Sequence, residues 1–124
     1  MKADVKSLTV NGVEYVVKGS EANVKAENFE GMEYKIVRTY SAGVFAGYVE
    51  SRDGQEVVLR KARRIWFWDG AASLSQLAEE GTKKPENCKF PQEVNKIELL
   101  QVIEILDCTE KARMSIQGVP VWKN

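Results

Sequence analysis

Residues 33–70 read EYKIVRTYSAGVFAGYVESRDGQEVVLRKARRIWFWDG, and the fold turns on how this stretch is divided. Tyr34, Ile36 and Arg38 alternate with Lys35, Val37 and Thr39 in a run rich in β-branched and aromatic residues, which predicts a strand over 33–40. Ser41-Ala42-Gly43 stops it. Phe45 to Glu50 resumes a strand pattern, Ser51-Arg52-Asp53-Gly54 carries the residue types of a tight turn, and Glu56 to Leu59 begins the return strand. Arg64-Ile65-Trp66-Phe67-Trp68 reads as another strand with large side chains on both faces, broken at Asp69-Gly70. The stretch is a β-meander.

Downstream, Ser73 to Glu80 reads as a short helix. Ser73-Leu74-Ser75-Gln76 has a capping-box pattern, Gly81 is the stop, and Leu74, Leu77 and Ala78 share one face for packing on the sheet. From Glu93 to Asp107 the residues are β-prone on both parities, so the run is either buried on both sides or bulged near Leu100-Gln101. Thr109 caps a last helix through Ile116, Gly118 ends it, and Val119 to Trp122 is an extended tail whose tryptophan needs a place to pack.

Upstream, Leu8-Thr9-Val10-Asn11-Gly12-Val13-Glu14-Tyr15-Val16-Val17 sets two β-prone runs around Asn-Gly, a strong hairpin signal. An isolated hairpin is marginal in water, so it must dock on the domain or on a partner chain. The polar stretch after it reads as a linker, ordered only if Phe29 finds a pocket. The expected division is a hairpin arm over 1–19, a linker over 20–31 and one domain over 32–124. The fold class is α+β: a mostly antiparallel sheet of about five or six strands with two short helices, and the N-terminal hairpin as an appendage.

The chain has 124 residues, 44% of them apolar and 29% charged, which suits one globular domain and neither a disordered nor a membrane protein. Basic and acidic residues are balanced at 18 each, so bulk charge does not favour nucleic acid, although a local basic patch remains open. Histidine is absent, which removes the commonest general base and metal ligand. Cys88 and Cys108 make neither a CxxC pair nor part of a metal set, and read as reduced thiols. No catalytic residue, metal ligand or cofactor is expected. Neither an export signal nor a membrane span is legible, and the expected location is a cytosol, or a particle assembled inside a cell.

The densest chemistry is Arg60-Lys61-Ala62-Arg63-Arg64-Ile65-Trp66-Phe67-Trp68. On a strand, Arg64, Trp66 and Trp68 line one side, an arrangement that holds a phosphate on the guanidinium and stacks a base on the indoles. The competing reading is structural: the tryptophans cover the second face of the sheet and Arg64 stacks on them. Tyr40 to Gly47 is a small-residue segment whose turn amides can cradle an anion, yet it lacks the lysine of a nucleotide loop; Gly43 and Gly47 more simply mark a bulge or a close backbone approach. Asp69 to Ser73 leads into a helix N-terminus, where a cap is the simpler role.

The string SAGVFAGYVESRDGQEVVLRKARRIWFWDGAASLSQLAEEG, with VIEILDCTEKA further on, resembles a family of small uncharacterised proteins of tailed bacteriophages and prophages. The similarity covers about Tyr34 to Trp122 and carries no catalytic residue with it. It implies a small accessory binding protein of the host cytoplasm, not an enzyme. The expected role is anti-defence, either sequestering a nucleotide signal or blocking a host protein. A nucleotide-like ligand would sit on Arg64, Trp66 and Trp68, with Arg60, Arg63 and the backbone at Gly43 as anion contacts. The alternatives are a virion structural or assembly protein, a homo-oligomer whose hairpin adds a strand to a neighbour, and a single-stranded nucleic-acid-binding protein.

Overall fold

A computed structural model of the chain describes residues 7–10, 13–16 and 24–123. Strands β1 (Ser7–Val10) and β2 (Val13–Val16) pair antiparallel from Ser7 opposite Val16 to Val10 opposite Val13, and form a sheet of their own. The turn expected at Asn11-Gly12 lies outside the described residues. The domain proper is a five-stranded antiparallel sheet of β3 (Glu33–Thr39), β4 (Val44–Asp53), β5 (Glu56–Arg64), β6 (Val94–Leu99) and β7 (Val102–Asp107), in the order β6-β5-β4-β3-β7. Helices α1 (Leu74–Glu80) and α2 (Glu110–Gly118) complete an α+β fold.

The order of the strands dictates the shape. In a flat sheet the two edge strands of five stand roughly 19 Å apart, four spacings of about 4.8 Å. Leu99 and Val102, which end β6 and begin β7, are three Cα steps apart, at most about 11 Å. The sheet must therefore curl until its edges approach. The Val102 N–H donates to the Gln55 carbonyl and the Tyr40 N–H to that of Gln101, each at 2.9 Å, and these bonds pin the corner. Two irregularities in the β4–β5 ladder supply curvature: Lys61-Ala62 bulges opposite Gly47, with Lys61 at φ 52°, and Glu50 is skipped between Val49 and Ser51. A Cβ on Gly47 would stand 3.0 Å from the Ala62 Cα, so the close backbone approach read from the sequence is present.

The curl separates two cores. Val37, Phe45, Val57, Leu59, Ala62, Leu99 and Val102 fill its inside. Tyr34, Ile36, Ala46 and Tyr48 face outward on the same strands and are covered by Leu77 and Ala78 of α1, by Ala112 and Ile116 of α2, and by Phe90 and Val119. The bulge at Lys61 explains a change of parity along β5: Val57 and Leu59 point inward before it, Ala62 after it.

Two sequence expectations change. Arg64 to Trp68 is not a strand of its own: β5 runs unbroken to Arg64, and beyond it the segment leaves the sheet, with only Phe67 bridging to Lys89. The long run over 93–107 is two strands, which break at Leu100-Gln101, with Gln101 at φ 56°, and join opposite edges of the sheet. The condition set for the stretch before the domain is met. Phe29 stacks against Tyr48 at 5.4 Å between centroids, with the Lys61 ammonium 4.3 Å over its ring, and Ala26 bonds to the Cys108 carbonyl.

Both helices start on side-chain caps. Ser73 Oγ accepts from the Gln76 N–H at 3.2 Å, and the glutamine reaches back to accept from the N–H of Ala72, one residue short of the expected partner. Thr109 Oγ1 accepts from the Ala112 N–H at 3.0 Å and donates to the Glu79 carbonyl at 2.7 Å, fastening α1 to α2. Thr109→Ala is expected to cost about 1–2 kcal/mol, as it removes a cap and strands a carbonyl. Urea unfolding followed by circular dichroism reads the loss, while Thr109→Ser should recover most of it.

Candidate functional site

The basic-aromatic segment is dispersed by the end of β5. Arg60 stays on the strand and is occupied there: Nε donates to the Asn95 carbonyl at 3.2 Å, and Nη1 lies 3.5 Å from Glu50. Arg63 turns to the helix side, where it is only 4% exposed. Its guanidinium donates to the carbonyls of Val119 at 2.7 Å, Phe90 at 2.8 Å, Ile116 at 3.0 Å and Pro91 at 3.2 Å. Burial lowers its pKa below the ordinary arginine value. With its donors spent on carbonyls, Arg63 has no face for an anion. It works instead as a post that joins residues 90–91 to the last turn of α2 and the residue after it.

Arg64 points the other way, toward the open end of the curl. Its guanidinium lies 4.5 Å over the Phe45 ring, and Nη1 donates to the Ala42 carbonyl at 2.9 Å. The turn it touches is held by Thr39, whose N–H and hydroxyl both donate to the Gly43 carbonyl, with Gly43 at φ 103°. Arg64 thus meets the backbone of this turn at Ala42, one residue before Gly43. A groove of about 450 Å³ runs past Ser41, Phe45, Arg64, Leu99 and Leu100.

Trp68 does not share a platform with Arg64. Trp68 is half-buried against the helix-side core, with its indole N–H donating to the Ala71 carbonyl at 3.2 Å. Trp66 is 64% exposed and Phe67 49% exposed, on backbone that is nonetheless fixed: both N–H groups donate to the Lys89 carbonyl, and Lys89 N–H donates to that of Phe67 at 2.8 Å. Trp122, 43% exposed, is held the same way by its N–H on the Phe90 carbonyl at 3.0 Å. The Lys89 ammonium stands 5.9 Å from the Phe67 ring and 5.6 Å from that of Trp122. The side chains that do come together are therefore Phe67, Lys89 and Trp122, with Trp66 tied to Lys89 through its backbone N–H. Lys89 carries no sequence signal, because only the bridge to Phe67 brings it there.

Three carboxyls are held by neighbouring side chains. Lys25 and Lys35 on Glu33, Asn87 and the Gly70 N–H on Asp69, and Arg113 on Glu110 hold these three carboxyls below the usual range. Each depressed carboxyl adds stability that is present above its unfolded pKa, about 4, and lost as pH falls through the folded value. With no histidine to titrate, thermal melting should be level from about pH 6 to 8 and fall below about pH 4.5. A marked slope near pH 6.5 would contradict this. Burial pushes the Cys108 thiol up to about 12, and Cys88 is buried too. Among the described residues no helix is long and apolar enough to cross a membrane.

Residues 32–116 match the domain of unknown function DUF6948. The chain belongs to this family. No curated protein and no solved structure matches it. The DUF6948 region holds the five strands and both helices through Ile116, including Arg63, Trp66, Phe67 and Lys89. Trp122 and the arm β1–β2 lie outside it.

Proposed function

We propose that this chain acts by binding and not by catalysis, as a small accessory protein of phage origin that blocks a host protein in an anti-defence role. The observation that carries the reading is the set of exposed aromatics at this end of the domain, Phe67 and Trp122 around Lys89 and, next to Phe67 in the chain, Trp66 with its indole nearly two-thirds exposed. Large aromatics are rarely left on the outside of a small domain unless something covers them. Their backbones are already fixed by hydrogen bonds, so ordering them against a partner costs little entropy. Tryptophan and a basic neighbour are also the residue types that dominate binding energy at protein interfaces. The nucleotide-sequestering variant has less support, because Arg63 is spent on carbonyls and Trp68 packs on the helix-side core, away from Arg64.

Affinity capture from host lysate with the full chain and with Trp66→Ala tests this. The expected result is a protein held by the parent chain and lost with the variant. Its affinity, measured with the purified partner, should fall at least thirtyfold, as about 2 kcal/mol or more requires. Identical captures by both proteins would refute the reading. Recovery of a nucleotide or nucleic acid that depends on Arg64 would replace it.

A further inference from the structure

The curled sheet leaves two edge strands, and their sequences treat the exposure differently. β6 carries Asn95, Lys96 and Glu98, charged and polar residues of the kind that discourage pairing with another chain. β7 reads Val102-Ile103-Glu104-Ile105-Leu106-Asp107, with no lysine or proline, and Ile103 is 47% exposed. Glu104 is already engaged by Arg38 Nε at 2.7 Å. Beside this edge a groove of about 570 Å³ opens between β7 and the β4–β5 turn, lined by Ile103, Ile105, Arg52, Gly54 and Gln55. At its near end the Val102–Gln55 bond closes the corner. Past that point alternate residues of an edge strand offer N–H and C=O groups outward.

The same chain has a strand pair in search of a sheet. Among the described residues β1 and β2 pair only with each other, four residues against four, which is too little for a hairpin to stand alone in water. Their residues, SLTV and VEYV, are mostly β-branched or aromatic, and Glu14 is their only charge. In the groove Arg52 is the complementary one: Nε donates to the Gly54 carbonyl at 2.9 Å, and no carboxylate among the described residues pairs with it. The chain enters the domain at Val24 to Ala26, antiparallel to Cys108 to Glu110, so that going upstream from Ala26 to Val24 it moves from Cys108 to Glu110, away from the end of β7, while Glu27 downstream meets Arg113 of α2. That direction favours the edge of another molecule over its own.

We propose that the N-terminal hairpin of a second copy of this chain adds to the free edge of β7, in the groove between β7 and the β4–β5 turn. The two copies exchange arms, so each groove is completed by its partner. The surface uses none of Trp66, Phe67, Lys89 or Trp122, and it stands or falls apart from the host-protein reading.

Amide hydrogen exchange of the full chain over a hundredfold range of concentration, with sedimentation alongside, tests it. The expected result is a dimer in which the amides of β1, β2 and β7 lose protection together on dilution, with the midpoint of dissociation. Ile103→Lys should raise the dimer dissociation constant at least tenfold. A monomer throughout, or a dimer whose β7 amides do not respond, overturns the proposal. Protection of arm and β7 that is independent of concentration in a monomer also overturns it, and assigns the edge to the chain's own arm. The exchange experiment needs no variant, so a poorly folded Ile103→Lys does not blunt the test.

Discussion

Arg63→Met is expected to lower the unfolding free energy by about 3–4 kcal/mol, the largest single loss in the domain. A methionine fills much of the volume but donates nothing: it leaves the Pro91 and Val119 carbonyls, one on each of the two segments, without this donor and takes one of two from Phe90 and Ile116, which keep the N–H groups of Trp122 and Val119. Each buried carbonyl left unpaired costs on the order of 1–3 kcal/mol, partly offset because a cation no longer has to be stripped of water. Arg63→Lys should recover little, since a compact ammonium cannot span both segments as a planar fork does. Urea midpoints at constant m-value read the effect. A loss under about 1 kcal/mol would mean that water replaces the guanidinium.

Gly70→Ala should cost about 2–4 kcal/mol, an unusual loss for one methyl group. Gly70 lies at φ 84°, and a Cβ there would stand 2.5 Å from the Lys84 N and 2.7 Å from the Lys83 N. Those are backbone atoms and cannot swing aside. The Lys83 N–H also donates to the Gly70 carbonyl at 3.1 Å, so the two loops would have to part and give up that bond. Because the turn sets the approach from Trp68 to α1, the near-ultraviolet signal of the tryptophans should change along with the melting temperature. If Gly70→Ala melts with the parent, the loop 82–84 is softer than its hydrogen bonds imply.

The meander was legible because its signals are local. Alternation over Tyr34 to Thr39 and the serine and threonine caps each act within a few residues and are found where the residue types place them, while the turn read over 51–54 falls two residues later, at Gly54-Gln55, because Ser51 to Asp53 still pair with Val58 to Glu56. What the sequence hid was long-range. Nothing local says that Arg63 meets Val119, or that Lys89 pairs with Phe67, because those contacts exist only once residues 65–93 have folded back. The bulge at Lys61 did further damage, since one extra residue exchanges the two faces of a strand and every parity argument beyond it inverts. The bulge separates Arg60 from Arg64, whereas the supposed row of Arg64, Trp66 and Trp68 lies wholly beyond it and is broken by the end of β5, after which Trp68 packs on the helix-side core. The aromatic residues were found; their grouping was not.

The two-residue link at Leu100-Gln101 constrains how the domain is made. β3, β4 and β5 are neighbours both in sequence and in space, and can zip together from their turns. β6 and β7 have no such freedom, because each joins an opposite edge while tied to the other. They must arrive together, after the meander has curled enough to bring both edges within reach. Their capture is a late, high-contact-order event, and loop-closure entropy places the folding barrier there.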